Sequence, residues 1–301
     1  MPKADKVGFV GLGAMGMGMA IQLLKKGFRV AAVDTRAEVK EQWVAAGGEW
    51  CDSPAAAAIG ADVFVAMVVN AEQIESVLHG GKGALKNLRP KSVVIVTSTV
   101  SPAFSRELGK RLAASGHLFI DAPVSGGVVG AESGSLSIMA AGSDEAFETG
   151  GPVLEAMAAK IYRIGSEPGL GSTVKTVNQL LAGAHIALAA EAIAFGTRAG
   201  VDPQMLFDVI SHSAGSSWMF NNRVPHMLKG DFTPLSAVNI FVKDLKIVLE
   251  VAHELRFPLP MAAIAHQLFL AAAASGLGAQ DDAAVVKVFE NLSGVSVAKN
   301  R

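Results

Sequence analysis

The segment GLGSTVKTVNQLLAGAHIALAAEA, residues 169–192, sets one cation, Lys175, in a run of small and apolar residues. Ala and Leu favour helix, and residues three and four apart share a helix face, so Asn178 and Gln179 stand beside Lys175. Proton transfer is the chemistry such a strip can do. Burial among apolar neighbours disfavours the ammonium form and brings a lysine down from about 10.4 toward neutrality, where its amine takes up and returns a proton. The amide of Asn178, with donor and acceptor groups, can hold a hydroxyl in line.

Two further stretches suit anions. In KVGFVGLGAMGMGMA, Gly11, Gly13 and Gly16 form G-x-G-x-x-G between a strand and a helix, with Leu12, Ala14 and Met15 completing the loop. The first glycine permits the tight turn, the second lets backbone approach a pyrophosphate, and the third lets helix pack on strand. The pyrophosphate then sits at the helix N-terminus, where free N–H groups and the dipole favour it. The next apolar run ends at Asp34, followed by Thr35; a carboxylate there accepts from both ribose hydroxyls and repels a 2′-phosphate, so the expected cofactor is NAD. Arg36 is the complication, because a guanidinium can hold that phosphate. The second stretch, DAPVSGGVVGAESGSL, puts Ser125, Gly126 and Gly127 after a strand, where a hydroxyl and successive backbone N–H groups suit a carboxylate.

Elements must position these groups. The runs VGFVG, RVAAVD, DVFVAMV, SVVIVTST, LFIDAPV and SLSIMAAG alternate with helical stretches, as in a mostly parallel sheet covered on both faces. Beyond about Glu167 only helical patterns follow, and the Gly/Pro/Ser cluster GSEPGLG marks the change. The expected fold is α/β: a Rossmann-like doubly wound sheet over residues 1–166, binding NAD, followed by an all-helical domain over residues 167–301 for substrate and oligomerisation.

Composition narrows the class. Half of the 301 residues are hydrophobic and 18% are charged, which points to apolar surface buried between subunits, a homodimer or homotetramer. Lys plus Arg (26) nearly balance Asp plus Glu (27), so neither nucleic acid nor an acidic membrane face is an expected partner. The one cysteine, Cys51, excludes an intrachain disulfide and reads as a buried hydrophobe. His253-Glu254 lacks a second histidine at zinc spacing and the other histidines are scattered, so no metal is expected. Tyr162 is followed four residues on by Ser166, which excludes a Tyr-x-x-x-Lys dehydrogenase. VGFVGLGAMGMGMAIQLL imitates a secretory signal, but its glycines argue against a signal helix. His185 and Glu191 interrupt one later apolar stretch and His266 another, so none runs unbroken for a membrane span of about 18 residues. A cytoplasmic protein is expected.

GFVGLGAMGMGMA, DAPVSGG, GLGSTVKTVNQ and VKDL (residues 242–245) stand in the order and spacing of the β-hydroxyacid dehydrogenase family, and the resemblance covers essentially the whole chain. It implies a catalytic lysine at Lys175, a substrate-orienting amide at Asn178, and a small hydroxy acid whose carboxylate is anchored at Ser125, Gly126 and Gly127. It also implies a cofactor-facing lysine at Lys243, with Thr99, Val68, Val69 and Asn70 lining the nicotinamide side. Within the family, KTVNQLLAGAHIALAAEA looks most like the subgroup that oxidises a four-carbon sugar acid at C2 with NAD. Two departures fall where the substrate pocket should be shaped: Gln179 replaces a common second asparagine, and GDFTPLSAV (residues 230–238) lacks the usual Pro-Gly-Phe. An NADPH-dependent reductase of glyoxylate or succinic semialdehyde on the same fold is disfavoured by Asp34. A non-catalytic dinucleotide-binding module is disfavoured by Lys175 and Asn178 together, since binding alone does not need a lysine buried in apolar helix. Trp218 reads equally as a pocket-closing or a core residue.

Overall fold

The computed structural model describes residues 5–298. Nine strands, β1 (Lys6–Val10), β2 (Arg29–Val33), β3 (Glu49–Trp50), β4 (Val63–Ala66), β5 (Val93–Val96), β6 (Leu118–Asp121), β7 (Val124–Ser125), β8 (Leu136–Gly142) and β9 (Ala158–Gly165), form one sheet. Seven helices lie among or after them: α1 (Gly16–Lys25), α2 (Lys40–Ala45), α3 (Pro54–Ala58), α4 (Ala71–His79), α5 (Pro102–Ala114), α6 (Gly127–Ser133) and α7 (Asp144–Met157). There follow α8 (Leu170–Arg198), α9 (Pro203–Ser211), α10 (Trp218–Lys229), α11 (Val238–Glu254), α12 (Pro260–Ala272) and α13 (Val286–Ser293). The chain divides into two compact units, Met1–Lys175 and Thr176–Arg301.

In the first unit the strand order is β3-β2-β1-β4-β5-β6-β8-β7, with β9 on β8. From β3 to β6 all pairs are parallel, and β8 runs antiparallel to β6. All four residues of β4 and of β5 are buried, as a strand covered by helices on both faces requires. The order reverses between β1 and β4, and the crevice beyond the carboxyl ends of such strands is where α/β sheets bind ligands. All six apolar runs form strands. β9, which the sequence pattern misses, is an edge strand: Lys160, Tyr162 and Arg163 are exposed, so no unbroken apolar run announces it.

The second unit is helical and packs its own core, with Ile186, Ala190, Ile193, Phe220, Val224, Leu245 and Phe269 among its members. Leu170–Arg198 and Pro260–Leu277 are both long and apolar enough to cross a membrane by length and composition, His185, Glu191 and His266 notwithstanding. Half of the apolar window in α8 is buried inside the protein, as in a core helix, whereas most of the second window is uncovered.

Candidate functional site

The glycine loop joins β1 to α1. Gly11 has φ of 96°, its N–H donates to the Val33 carbonyl (3.0 Å), and a Cβ there would lie 2.0 Å from the Met67 carbonyl oxygen. A Cβ on Gly16 would lie 1.8 Å from the Gly11 carbonyl oxygen, so helix and turn touch through bare backbone. Gly13 differs: a Cβ there would meet only the Arg36 guanidinium, at 3.6 Å. Packing within the chain does not demand that glycine, and the open side leaves room for a ligand to approach the backbone. Met15 gives α1 no side-chain cap and its first turn has no acid; the Met17 N–H donates to the Gly13 carbonyl (3.0 Å), and the positive end of the helix suits a diphosphate.

Asp34, just past β2, closes the loop from the side. Its Oδ2 accepts from the Leu12 N–H (2.7 Å) and its Oδ1 from the Arg36 N–H (2.8 Å). The Arg36 guanidinium adds Nε to Oδ1 at 3.1 Å and Nη2 to Oδ2 at 3.3 Å. Burial pushes the Asp34 carboxyl up, but the side-chain and backbone donors of Arg36 with the Leu12 amide outweigh it and hold the group below the usual carboxylate range. The Arg36 guanidinium is thus gripped by Asp34. Thr35 and Ala14 are exposed beside this clasp.

Past β4 the turn of Val68, Val69 and Asn70 is pinned at each residue. Val68 N–H donates to Ser98 Oγ (2.9 Å), Val69 N–H to Gln73 Oε1 (2.8 Å), and Asn70 Oδ1 caps α4 through the Gln73 N–H (2.9 Å). Asn70 is thus also the cap of α4, and Val69 is half-exposed. Thr99 follows β5, half-buried. Ser125 ends β7, and Gly126 and Gly127 (φ 130° and 63°) turn the chain into α6; a Cβ on Gly127 would meet nothing.

Asp121, which the sequence pattern did not single out, ends β6 fully buried. Its carboxylate accepts from the N–H groups of Gly169 (2.9 Å) and Ser172 (2.8 Å) and from the hydroxyls of Ser172 (2.7 Å) and Ser105 (3.1 Å). Burial raises its pKa against those four donors. The carboxylate caps the first turn of α8 from another element. A Cβ on Gly171 would lie 2.4 Å from the Met139 carbonyl oxygen, so α8 starts hard against the sheet. Lys175 follows one turn after Ser172 and is buried, at 7% exposure.

In the second unit α8 carries Asn178 and Gln179. Asn178 Nδ2 donates to Gln179 Oε1 (2.9 Å), Gln179 Nε2 donates to Asp244 Oδ2 (2.6 Å), and Lys243 Nζ pairs with Asp244 Oδ1 at 2.5 Å. The close helix approach comes from Gly183, whose Cβ would lie 2.9 Å from Leu245 Cδ2. The loop over residues 230–238 is latched by Asp281, whose carboxylate accepts from the Leu235 N–H (3.0 Å) and whose own N–H donates to the Phe232 carbonyl (2.9 Å). Next to it the Asp282 carboxylate pairs with Arg223 Nε (2.5 Å) and Nη2 (3.2 Å) in the interior. Trp218 starts α10 and is 61% exposed, which excludes core packing for it. Of the expected site residues, the structure joins Leu12 to Asp34 in the first unit, and Asn178 to Lys243 through Gln179 and Asp244 in the second.

The strand order 3-2-1-4-5-6, with a glycine loop at its reversal and a carboxylate at the end of β2, makes the first unit a dinucleotide-binding domain of the Rossmann class. Residues 6–165 match the family model for the NAD binding domain of 6-phosphogluconate dehydrogenase, and residues 169–289 the model for the NAD-binding of NADP-dependent 3-hydroxyisobutyrate dehydrogenase. The chain is 54% identical over 286 residues to L-threonate dehydrogenase of Cupriavidus necator, covering 95% of this chain and 96% of that protein. To L-threonate dehydrogenase of Escherichia coli K12 it is 47% identical over 290 residues, 95% of either chain. A crystal structure from Salmonella typhimurium, described as 3-hydroxyisobutyrate dehydrogenase, superposes with a TM-score of 0.90 at 46% identity, covering 94% of this chain and 99% of that one. The chain belongs to the 3-hydroxyisobutyrate dehydrogenase-like family of β-hydroxyacid dehydrogenases, and is a NAD-binding oxidoreductase acting on a CH–OH group.

Proposed function

We propose that the protein oxidises L-threonate at C2 to 2-oxotetronate, with NAD preferred over NADP and Lys175 as the acid/base. The observation that carries this reading is the burial of Lys175 one helical turn before Asn178, in a chain 54% identical to an L-threonate dehydrogenase. The neutral Lys175 amine takes the C2 hydroxyl proton and becomes ammonium as the C2–H bond gives up its hydride and the carbonyl forms. Bound NAD supplies the acceptor for that hydride. Ser125 and the amides of Gly126 and Gly127 anchor the carboxylate, and Asn178 orients the substrate. Gly11, Gly13 and Gly16, with Leu12, Ala14 and Met15, hold the diphosphate. Asp34 and Thr35 hold the ribose, and Val68, Val69, Asn70, Thr99 and Lys243 form the nicotinamide side. The grip of Asp34 on Arg36 supports NAD, since it occupies the guanidinium that a 2′-phosphate needs.

In the same reading residues 1–166 bind NAD and residues 167–301 serve substrate and oligomerisation. The reading is of a cytoplasmic protein, and exposed Val177, Leu181, Leu188 and Phe195 on α8, with Met261 and Ile264 on α12, support its assembly as a homodimer or homotetramer. A second reading, oxidation of 3-hydroxyisobutyrate, has the description of the Salmonella typhimurium structure in its favour. Reduced-nicotinamide absorbance with NAD or NADP against L-threonate, 3-hydroxyisobutyrate and other sugar acids separates them: L-threonate with NAD should give the highest kcat/KM. Faster turnover of 3-hydroxyisobutyrate would replace the reading.

A further inference from the structure

The interior polar chain of the second unit fixes which way Asn178 faces. Asp244 is ion-paired with Lys243, and a carboxylate accepts hydrogen bonds without donating. The nitrogen of the Gln179 amide must therefore face it, as the 2.6 Å contact shows, which turns Gln179 Oε1 toward Asn178. An amide oxygen only accepts, so Asn178 presents Nδ2 to Gln179 at 2.9 Å and turns its own carbonyl oxygen to the other side. Gln179 is 7% exposed and Asp244 2%, so water does not compete for these contacts. A shorter asparagine at position 179 has one methylene less with which to reach Asp244.

The orientation has a chemical consequence. A hydroxyl being oxidised has one hydrogen, which goes to Lys175 under the reading above, on which this inference rests. The Asn178 carbonyl, an acceptor, cannot take that same hydrogen and is suited to a different hydroxyl, on the adjoining carbon. We propose that Gln179 is a positioning residue for specificity: anchored on Asp244, it turns the Asn178 carbonyl toward a second hydroxyl of the substrate and so selects hydroxy acids that carry one.

The test compares the parent with Gln179→Met, similar in size and without the amide, on L-threonate and its 3-deoxy analogue. The parent should prefer L-threonate by about tenfold or more in kcat/KM, the order expected for one buried hydrogen bond. Gln179→Met should lose most of that preference through KM rather than kcat, with NADH affinity retained. L-Threonate titrated calorimetrically into the protein–NADH complex should weaken by a similar factor. In an Asn178→Ala background Gln179→Met should cause no further change in the preference, which separates orientation of Asn178 from damage to packing. Gln179→Asn reads the same ratio should the methionine variant fail to fold. A preference kept in both variants, or lost equally without Asn178, overturns the proposal, as does a parent whose best substrate has no second hydroxyl. A best substrate other than L-threonate that carries one overturns only the L-threonate reading, and the ratio on that acid and its deoxy analogue then decides the proposal.

Discussion

The Asp121 carboxylate holds both the backbone N–H and the hydroxyl of Ser172, at 2.8 and 2.7 Å, so the last residue of β6 fixes the first turn of the helix that carries Lys175. Asp121→Ala should take the carboxylate from two buried amides and from the Ser105 and Ser172 hydroxyls, which also contact each other (3.0 Å), and lower stability by about 2–4 kcal/mol, at ~1–3 per buried unsatisfied group with partial relaxation. Asp121→Asn, which keeps one acceptor oxygen, should lose less. Urea unfolding at neutral pH measures both, and an alanine variant as stable as the parent would remove Asp121 as the anchor of α8.

The glycine loop separates folding from binding. Gly16→Ala forces a Cβ onto the Gly11 carbonyl and should cost stability. Gly13→Ala meets only the mobile end of Arg36 and should fold like the parent while binding NADH at least tenfold more weakly. Thermal melts paired with NADH titration distinguish the two. Unimpaired NADH binding by Gly13→Ala would show that no diphosphate approaches there.

Cofactor choice should follow the clasp of Asp34 and Arg36. Asp34→Ser removes the carboxylate that repels a 2′-phosphate and releases the Arg36 guanidinium, so the NAD/NADP ratio of kcat/KM should fall by one or more powers of ten. It also removes the acceptor of the Leu12 N–H, so KM for NAD should rise. An unchanged ratio would take Asp34 out of the ribose site.

Lys175→Ala should fold and bind NADH yet lose about 10² to 10⁴ of kcat, the usual share of a general base. Lys175→Arg should not restore it, because guanidinium stays protonated. An alanine variant turning over at the parental rate with the parental pH profile would exclude the lysine mechanism.

Asp282 makes a pH test in the helical unit. Burial, aided by neighbouring Asp281, which His226 contacts, pushes its carboxyl up to about 6 against the opposing pull of Arg223. A carboxyl whose folded pKa exceeds its unfolded value binds more protons when folded. Its contribution is therefore complete below about pH 4 and is lost as pH rises through about 6. The stability of the parent relative to Asp282→Asn should fall between those values and level off above them. Urea midpoints of both proteins across the range give the difference, and a flat difference would contradict the raised pKa.

The sequence discloses the parts of this molecule that are local. Unbroken apolar runs announce β1, β2, β4, β5, β6 and β8 because these interior strands are buried on both faces. Two-residue strands such as β3 and β7 exist through their neighbours and carry no pattern of their own. The glycine loop with Asp34 reads clearly because turn, helix start and strand end follow in one stretch. Asp121 with Ser172, and Gln179 with Asp244, are 51 and 65 residues apart. No spacing rule pairs such residues; only the fold brings them to hydrogen-bond distance.

If the uncapped start of α1 holds the diphosphate as proposed, the protein's lifetime is tied to its supply of dinucleotide. A ligand that satisfies those N–H groups binds the folded chain alone, so occupancy adds to stability by mass action, about 2.7 kcal/mol at a hundredfold excess over Kd. A cell whose nicotinamide pool runs low would then hold this enzyme in a form that opens more often and is cleared sooner by proteases. Abundance would track the redox currency the enzyme consumes, without any dedicated regulator.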